Sequence, residues 1–342
     1  MGSILSQAAQ KCYREGEKSE RGGRVRGILL SPEPSGSPVS DTNCTNPAPT
    51  RVARSELNST KEGTAPPMKI RLGYDITFET PQEVAVVAML HVHPTRVGDL
   101  LEPDVLETNA GVTQEEYVDS FGNLCTRLVV PAGELQLRGS TLIEDSGKPD
   151  AMGVGAVEHA VAELPTETLQ YLLASRYCEV DLLSPAAHDL FGAIEPGWPR
   201  VQAICGWVHW KVEFGYQYAR PTKTAVDVYT ERRGVCRDFQ HLAITFCRAM
   251  NIPARYATGY LGDIGIYVPP APMDFSAWFE VYLGGRWWTM DARHNQPRIG
   301  RVLMATGRDA ADVALTTAFG AANLKKFLVV SDEVTKAEEI RA

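Results

Sequence analysis

Apolar and polar residues alternate along the chain from residue 68 onward. The stretch KIRLGYDITFE, which begins at Lys69, changes polarity at almost every second residue, the period of a half-buried strand. A second strand-like run, EVAVVAMLHVHP, ends at Pro94, and more runs follow on both sides of the Phe-Gly-Asn turn at 121–123. Short strands joined by turns, without helical spacing between them, predict an antiparallel β-sandwich over residues 68–165.

The spacing of the apolar residues becomes helical after about residue 165. The runs TETLQYLLASRYC and SPAAHDLFGAI repeat apolar residues every three or four positions, and a longer helix is predicted from Pro199. The most regular pattern follows Cys236, where Phe239, Leu242 and Phe246 fall on one face of an amphipathic helix. Strands followed by helices predict an α+β fold with a second unit over residues 166–330.

A glycine pair at 284–285 separates two strand-like runs, which is a strong signal for a two-residue hairpin. With that pair as the loop, Asp291 lies diagonally across from Ser276 on the same face of the sheet. His294 comes three residues after Asp291, and side chains alternate between the two sides of a strand. His294 would face the other side of a regular ladder, unless the strand ends or bulges before it.

The two ends of the chain have a different composition. Residues 1–67 are rich in Pro, Ser, Thr, Gly and Asn and lack apolar periodicity, so we predict a disordered tail there, and a short solvated tail over 331–342. Met68 is a second candidate for the start of translation. Gly2 and Ser6 match a short N-terminal acylation pattern, which we expect to be unused.

The net charge and the spacing of the cysteines limit the classes of function that fit this chain. The net charge of −8 gives no electrostatic footprint for nucleic acid, and the chain has no apolar run of about 18 residues that would span a membrane. The 7 cysteines form no Cys-x-x-Cys pair, which favours reduced thiols in a cytoplasmic protein. His91 and His93 share one strand face without a third ligand, so we expect structural or surface histidines, no metal and no cofactor.

Cys236 has the local setting of a thiol nucleophile. Gly234 permits a tight turn, and the helix predicted next places Cys236 in its first turn. Free backbone N–H groups and the helix dipole there favour a thiolate, lower its pKa and could hold an oxyanion. A small buried core cysteine is the other interpretation. His241 points about 140° away around the helix, which makes it a poor base for this thiol.

Three segments together resemble the core of bacterial transglutaminase-like proteins, which belong to the papain-like thiol superfamily. They are GVCRDFQHLAITFCRAMNIPARYATGYL, AWFEVYL and WWTMDARHN. The resemblance implies a helix bearing the cysteine, packed on an antiparallel sheet. It also implies a catalytic cysteine, then a histidine just before Ala-Trp, then an aspartate ending the next strand. Those positions hold Cys236, Ser276 and Asp291 here, and the strands over 68–165 look like the β domain that commonly precedes this core.

The resemblance implies a thioester on Cys236, formed from a peptide or glutamine side-chain amide and resolved by water or an amine. Ser276 cannot replace the histidine, because a hydroxyl is far too weak a base near neutral pH. Three interpretations remain open: His294 supplies the base after a local backbone change, the domain is a pseudoenzyme that binds a peptide or protein, or a group from the N-terminal domain or a partner chain completes the site. The candidate set is therefore Cys236, Asp291, His294 and Ser276, with a peptide or protein as substrate or partner.

Overall fold

A computed structural model describes residues 67–109, 111–267 and 273–334. The tail predicted for residues 1–67 lies outside these ranges apart from Pro67, and so does most of the tail predicted for 331–342. The boundaries proposed for the tails and the two units stay predictions.

Within the described residues the chain forms four α-helices and fourteen strands. The helices are α1 (Val180–Phe191), α2 (Trp198–Lys211), α3 (Ala225–Glu231) and α4 (Cys236–Ala249). The strands are β1 (Met68–Thr80), β2 (Val84–Ala88), β3 (Glu107–Thr108), β4 (Thr113–Val118), β5 (Leu124–Val130), β6 (Gly133–Asp145), β7 (Glu213–Phe214), β8 (Arg233–Gly234), β9 (Ala254–Leu261), β10 (Ser276–Leu283), β11 (Arg286–Met290), β12 (Arg301–Gly307), β13 (Thr316–Ala318) and β14 (Asn323–Glu333).

Two antiparallel four-stranded sheets form the predicted β-sandwich. One has the order β14-β1-β6-β3 and the other β13-β2-β5-β4. Ile70 and Leu72 of β1, Val86 of β2, Leu128 of β5 and Leu137 of β6 are buried in the same core between them. The two C-terminal strands, β13 and β14, pair with β2 and β1, and β14 continues beyond residue 331. Residues far from 68–165 in the sequence therefore complete the sandwich.

A third antiparallel sheet, in the order β11-β10-β9-β12, carries the helix that begins at Cys236. One face of this sheet, with Phe279 and Val281, shares a core with α4 and the helices around it. Tyr260 of β9 and Val302 of β12, which pair with each other farther along the sheet, belong to the core of the sandwich. The α+β fold and the cysteine-bearing helix packed on an antiparallel sheet are thus as expected from the sequence.

The glycine pair at 284–285 forms the predicted two-residue hairpin loop between β10 and β11. Leu283 pairs with Arg286, and the register continues without a shift to the pair Phe279 and Met290. β11 ends there, so Asp291 lies just beyond the last paired residue. The paired strand ladder therefore does not extend to His294. The expectation that His294 faces the other side of the sheet required a regular ladder and does not apply.

Gly259 lies at the centre of the third sheet, between β10 and β12. A Cβ at this position would lie 2.1 Å from the carbonyl oxygen of Val302 and 2.9 Å from the ring of Trp278. We expect Gly259→Ala to lower the free energy of unfolding by about 1–3 kcal/mol, because the backbone of a neighbouring strand must move. Urea denaturation measures the change.

Gly206 on α2 supplies the matched control, since a Cβ there meets nothing within 4 Å. Gly206→Ala is expected to raise stability by roughly 0.5–1 kcal/mol through helix propensity. Equal changes in the free energy of unfolding for the two substitutions would show that the close contact at Gly259 does not destabilise the alanine variant.

Candidate active site

Cys236 is the first residue of α4 and is only 9% exposed. Two residues later Asp238 caps the helix, because its Oδ2 accepts a 3.0 Å hydrogen bond from the backbone N–H of Val235. The predicted position of the cysteine at a helix start is confirmed. It places the thiol where unpaired backbone N–H groups point outward.

The pKa of the Cys236 thiol does not fall as expected from the helix start. Burial raises this pKa to about 11, the Arg293 guanidinium opposes the rise, and the Asp274 carboxylate adds to it. The expectation was wrong because desolvation, which depends on the packed fold, exceeds the opposing effects of Arg293 and of the hydrogen bond from the Arg237 backbone. In this state the thiol is protonated at neutral pH and needs a base to react.

His294 lies next to Asp291 in the turn that follows β11. Its Nδ1 is 2.8 Å from Asp291 Oδ2. Oδ1 of the same carboxylate accepts the backbone N–H groups of Arg293 and His294 at 2.9 and 3.0 Å. β11 therefore ends before His294, which is one of the possibilities that the sequence allowed. The tight turn after the strand places the imidazole beside Asp291.

Asp291 is also held by groups from two other elements. Arg301 on β12 donates from Nη2 to Oδ2 at 2.8 Å, and Gln240 on α4 donates from Nε2 to Oδ1 at 3.1 Å. Burial opposes ionisation of the carboxyl, but the charge of Arg301 and the bonds from His294 hold its pKa well below the usual range. Asp291 is thus an anion fixed in orientation beside the imidazole.

Gln240 connects the helix of Cys236 to the turn of His294. It is fully buried, donates from Nε2 to the carbonyl of Ala277 at 3.1 Å as well as to Asp291, and accepts from the Ala292 N–H at 3.1 Å. The sequence analysis did not select this residue. Its spacing of four from Cys236, which puts both on one helix face, was the available signal.

Ser276 begins β10, pairs with Gly259 and is 7% exposed. Its carbonyl accepts from Thr258 Oγ1 at 3.0 Å. Among the described residues no hydrogen bond joins its hydroxyl to Cys236, Asp291 or His294. In this structure the residue at the position of the family histidine is therefore not hydrogen-bonded through its side chain to the other three candidate site residues.

Asp274, two residues before Ser276, was not selected from the sequence. Its Oδ1 is buried without a hydrogen-bond partner among the described residues. Burial raises the pKa of this carboxyl to about 7, although the Arg293 guanidinium opposes the rise. A carboxyl group that changes charge near neutrality therefore acts on the electrostatics of Cys236.

We expect Asp274→Asn to speed alkylation of Cys236 above about pH 7 by up to tenfold, the effect of about one unit of thiol pKa. The ionised Asp274 raises the pKa of Cys236, so its removal increases the thiolate fraction. Below about pH 7 the carboxyl is already protonated and the two proteins should react alike. Iodoacetamide labelling with peptide mass analysis measures the rate. The control is Asp189→Asn, on the exposed surface of α1. The same acceleration in this variant would contradict the assignment of Asp274 as a carboxylate that raises the pKa of Cys236.

The other polar residues near the cysteine are held by neighbouring side chains or backbone groups. Arg237 and Asp238 form a buried pair at 3.3 Å, and Arg293 stacks with its guanidinium 3.8 Å from the Phe214 ring centroid. His241 is fully buried and accepts from the Ala310 N–H at 3.1 Å, and burial lowers its pKa well below the usual value. His241 is thus a packed core residue and remains a poor candidate for the base.

His91 and His93 do not share a strand face as expected, because β2 ends at Ala88, and each of them has a local partner. His91 Nε2 lies 3.0 Å from Thr126 Oγ1, and His93 Nδ1 lies 2.8 Å from Thr95 Oγ1. Within the part of the chain that the structure describes, no group of three or more His, Cys, Asp or Glu side chains is placed to hold a metal ion. No helix in the described ranges is long and apolar enough to cross a membrane.

Comparisons with known proteins cover the same elements. Residues 186–292 match the model of the transglutaminase-like superfamily, a range that includes Cys236, Ser276 and Asp291 but stops short of His294. A proposed cysteine protease from Cytophaga hutchinsonii, known from a crystal structure, is 31% identical with a TM-score of 0.69, and the match covers 80% of this chain and 92% of that one. An uncharacterized protein of Mycobacterium leprae (strain TN) is 27% identical over 218 residues, 61% of this chain and 77% of that protein.

Proposed function

This chain belongs to the transglutaminase-like superfamily, and from that premise we propose that it is a cysteine hydrolase or acyltransferase with His294 as its base. The observation that carries the proposal is the 2.8 Å contact between His294 Nδ1 and Asp291 Oδ2. It supplies, from the turn after β11, the oriented imidazole that Ser276 does not provide. Cys236 is the nucleophile of the proposed reaction.

The contact with Asp291 determines which nitrogen of His294 is available. With Nδ1–H donated to the carboxylate, Nε2 is free to accept a proton. Nε2 takes the proton of Cys236 Sγ as the sulfur attacks an amide carbonyl, and the C–N bond then breaks. The leaving amine departs with that proton, and a thioester remains on Cys236. Water or a second amine gives its proton to Nε2, attacks the thioester and releases the thiol.

A peptide or protein is the proposed substrate, through a backbone amide or a glutamine side-chain amide. The relative from Cytophaga hutchinsonii is described as a proposed cysteine protease, which supports the hydrolytic form of the reaction. The transglutaminase-like family supports the transfer form. Both forms share the thioester and differ only in the group that resolves it.

The products distinguish these forms. The full chain is incubated with glutamine-containing peptides, with and without a fluorescent primary amine, and the mixtures are analysed for peptide cleavage, ammonia release and amine incorporation. Any of these that disappears in Cys236→Ala supports the proposal and identifies the reaction. A wild-type protein that gives none of them across a diverse peptide set would overturn it.

A second candidate is a catalytically impaired domain that binds a peptide or protein. Two observations favour it: Ser276 replaces the family histidine, and burial raises the pKa of Cys236 to about 11. A binding domain should retain affinity for its peptide in both Cys236→Ala and His294→Ala, while the wild type forms no thioester. A thioester on wild-type Cys236, detected by mass, would exclude this candidate.

A further inference from the structure

Arg293 lies in the turn that carries His294, and its side chain reaches the short strand pair that leads into α4. The guanidinium packs 3.8 Å from the centroid of the Phe214 ring. Phe214 belongs to β7, where it pairs with Gly234 of β8, two residues before Cys236. The Arg293 side chain therefore extends from the turn of the proposed base to the strand beside the proposed nucleophile.

Three contacts fix this position of the arginine. Its carbonyl accepts a 2.7 Å hydrogen bond from His209 Nδ1 on α2, and its backbone N–H donates to Asp291 Oδ1 at 2.9 Å. The Phe214 ring under the guanidinium is itself packed against Phe239 of α4, with ring centroids 6.3 Å apart. A guanidinium that packs on an aromatic face keeps its N–H donors at the edge, where they can bind an acceptor.

The side-chain donors of Arg293 are available. None of its three side-chain nitrogens has a hydrogen bond or an ion pair with a described residue, and the side chain is only half-buried, so these nitrogens remain accessible to solvent. Arg237, beside the same cysteine, differs because its guanidinium is paired with Asp238 and with the carbonyl of Arg220. Arg293 therefore presents an unpaired positive charge at the candidate active site.

The charge of Arg293 acts on both Cys236 and Asp274. Burial raises the pKa of the Cys236 thiol to about 11 and the pKa of the Asp274 carboxyl to about 7, and the Arg293 guanidinium opposes both rises. Among the described residues no ion pair joins Asp274 to Arg293. Below about pH 7 the Asp274 carboxyl is mostly neutral, so it leaves the positive charge of the guanidinium unbalanced.

We propose that Arg293 binds a carboxylate of the substrate. The preferred substrates are then peptides with an acidic side chain or a free C-terminal carboxylate close to the amide that Cys236 attacks. A guanidinium suits this ligand because its planar donors match the two oxygens of a carboxylate. The identity of the attacked bond rests on the proposed function, whereas the carboxylate site concerns only the surroundings of the thiol.

Alkylation of Cys236 tests the carboxylate site without enzymatic turnover. Iodoacetate and iodoacetamide differ only in a carboxylate against a carboxamide, and both form a thioether on Sγ with loss of iodide. The ratio of their rate constants on the full chain at pH 6.5, measured by peptide mass analysis, cancels the reactivity of the thiolate itself. Arg293→Gln should lower this ratio about tenfold, the scale of one charge-assisted hydrogen bond. Arg293→Lys should lower it less, because the charge is kept.

Arg286→Gln is the matched control. This arginine also packs on an aromatic ring, with its guanidinium 4.1 Å from the Trp288 centroid, and it lies at the opposite end of β11 from Asp291. The variant removes the same charge and should keep the wild-type ratio of iodoacetate to iodoacetamide rates. An unchanged ratio in Arg293→Gln, or an equal decrease in both variants, would overturn the carboxylate site.

Matched peptides identify the source of the carboxylate. Glutamine peptides are prepared with Glu or Gln beside the target glutamine and with a free or amidated C terminus, and kcat/KM is measured for wild type and Arg293→Gln. A preference of about tenfold for Glu that is lost in the variant supports an acidic side chain, and the same result for the free C terminus supports a terminal carboxylate.

Two other outcomes separate this inference from the proposed function. Peptides that react without either preference would overturn the assignment of acidic substrates and leave the proposed function supported. A lowered alkylation ratio in Arg293→Gln, with no reaction of any peptide in the wild type, would support the carboxylate site but contradict the proposed function and the substrate assignment with it.

Discussion

Replacing Arg301 with methionine is expected to lower the free energy of unfolding by about 3–5 kcal/mol. The arginine is buried and donates to Asp150 and Asp291, whose side chains are 15% and 2% exposed. Methionine fills a similar volume but leaves two carboxylates in low-dielectric surroundings without their cation. Urea denaturation at pH 7 measures the loss.

The pH dependence of this loss has a defined sign. A carboxyl whose folded pKa is depressed stabilises the protein above its unfolded pKa, and this contribution disappears as the pH falls. Arg301 holds the pKa of Asp291 well below its usual range. The difference in stability between wild type and Arg301→Met should therefore be largest at neutral pH and should shrink below about pH 4.

Arg308→Met is the matched control, because Arg308 pairs with Asp312 but is 43% exposed. An exposed ion pair contributes less than about 1 kcal/mol, so this variant should unfold almost as the wild type does. Similar losses in the free energy of unfolding in both variants would contradict the claim that burial makes the ion pairs of Arg301 important for stability.

His294→Ala is expected to slow acylation of Cys236 by about 10²–10⁴-fold, the usual contribution of a general base. The reason is that burial keeps the thiol protonated at neutral pH, with a pKa of about 11, so attack requires a group that removes the proton. The measurement is the single-turnover rate of thioester formation with an activated acyl ester at pH 7.5, followed by mass.

His188→Ala provides the control, since this histidine lies on the exposed side of α1. It should acylate at the wild-type rate. If His294→Ala also stayed within twofold of the wild type, with its fold intact, the proposed base would be the wrong residue.

Local sequence signals predicted the parts of the site that depend on short-range structure. The glycine pair at 284–285 determined the register of β10 and β11, because a two-residue loop permits only one pairing. The position of Cys236 at a helix start followed from Gly234 and the apolar spacing after it. Both features depend on neighbours within a few residues.

Other parts depend on contacts between distant segments, which a periodic pattern does not encode. β11 stops at Met290, and the following turn is held by bonds to Asp291 from Gln240, 51 residues earlier, and Arg301, on another strand. The raised pKa values of Cys236 and Asp274 follow from burial by the whole fold. These effects appear only when the strands and helices have packed.

The pH dependence of acylation in wild type and His294→Ala tests the central claim most directly. Asp274 ionises in both proteins, so the ratio of their rates isolates the effect of His294. The account predicts that the wild type acylates readily at neutral pH, far below the thiol pKa of about 11, whereas the rate of the variant rises with pH toward that value, as a thiol without a base requires. Two parallel profiles, with a constant ratio close to one, would contradict the assignment of His294 as the base of Cys236.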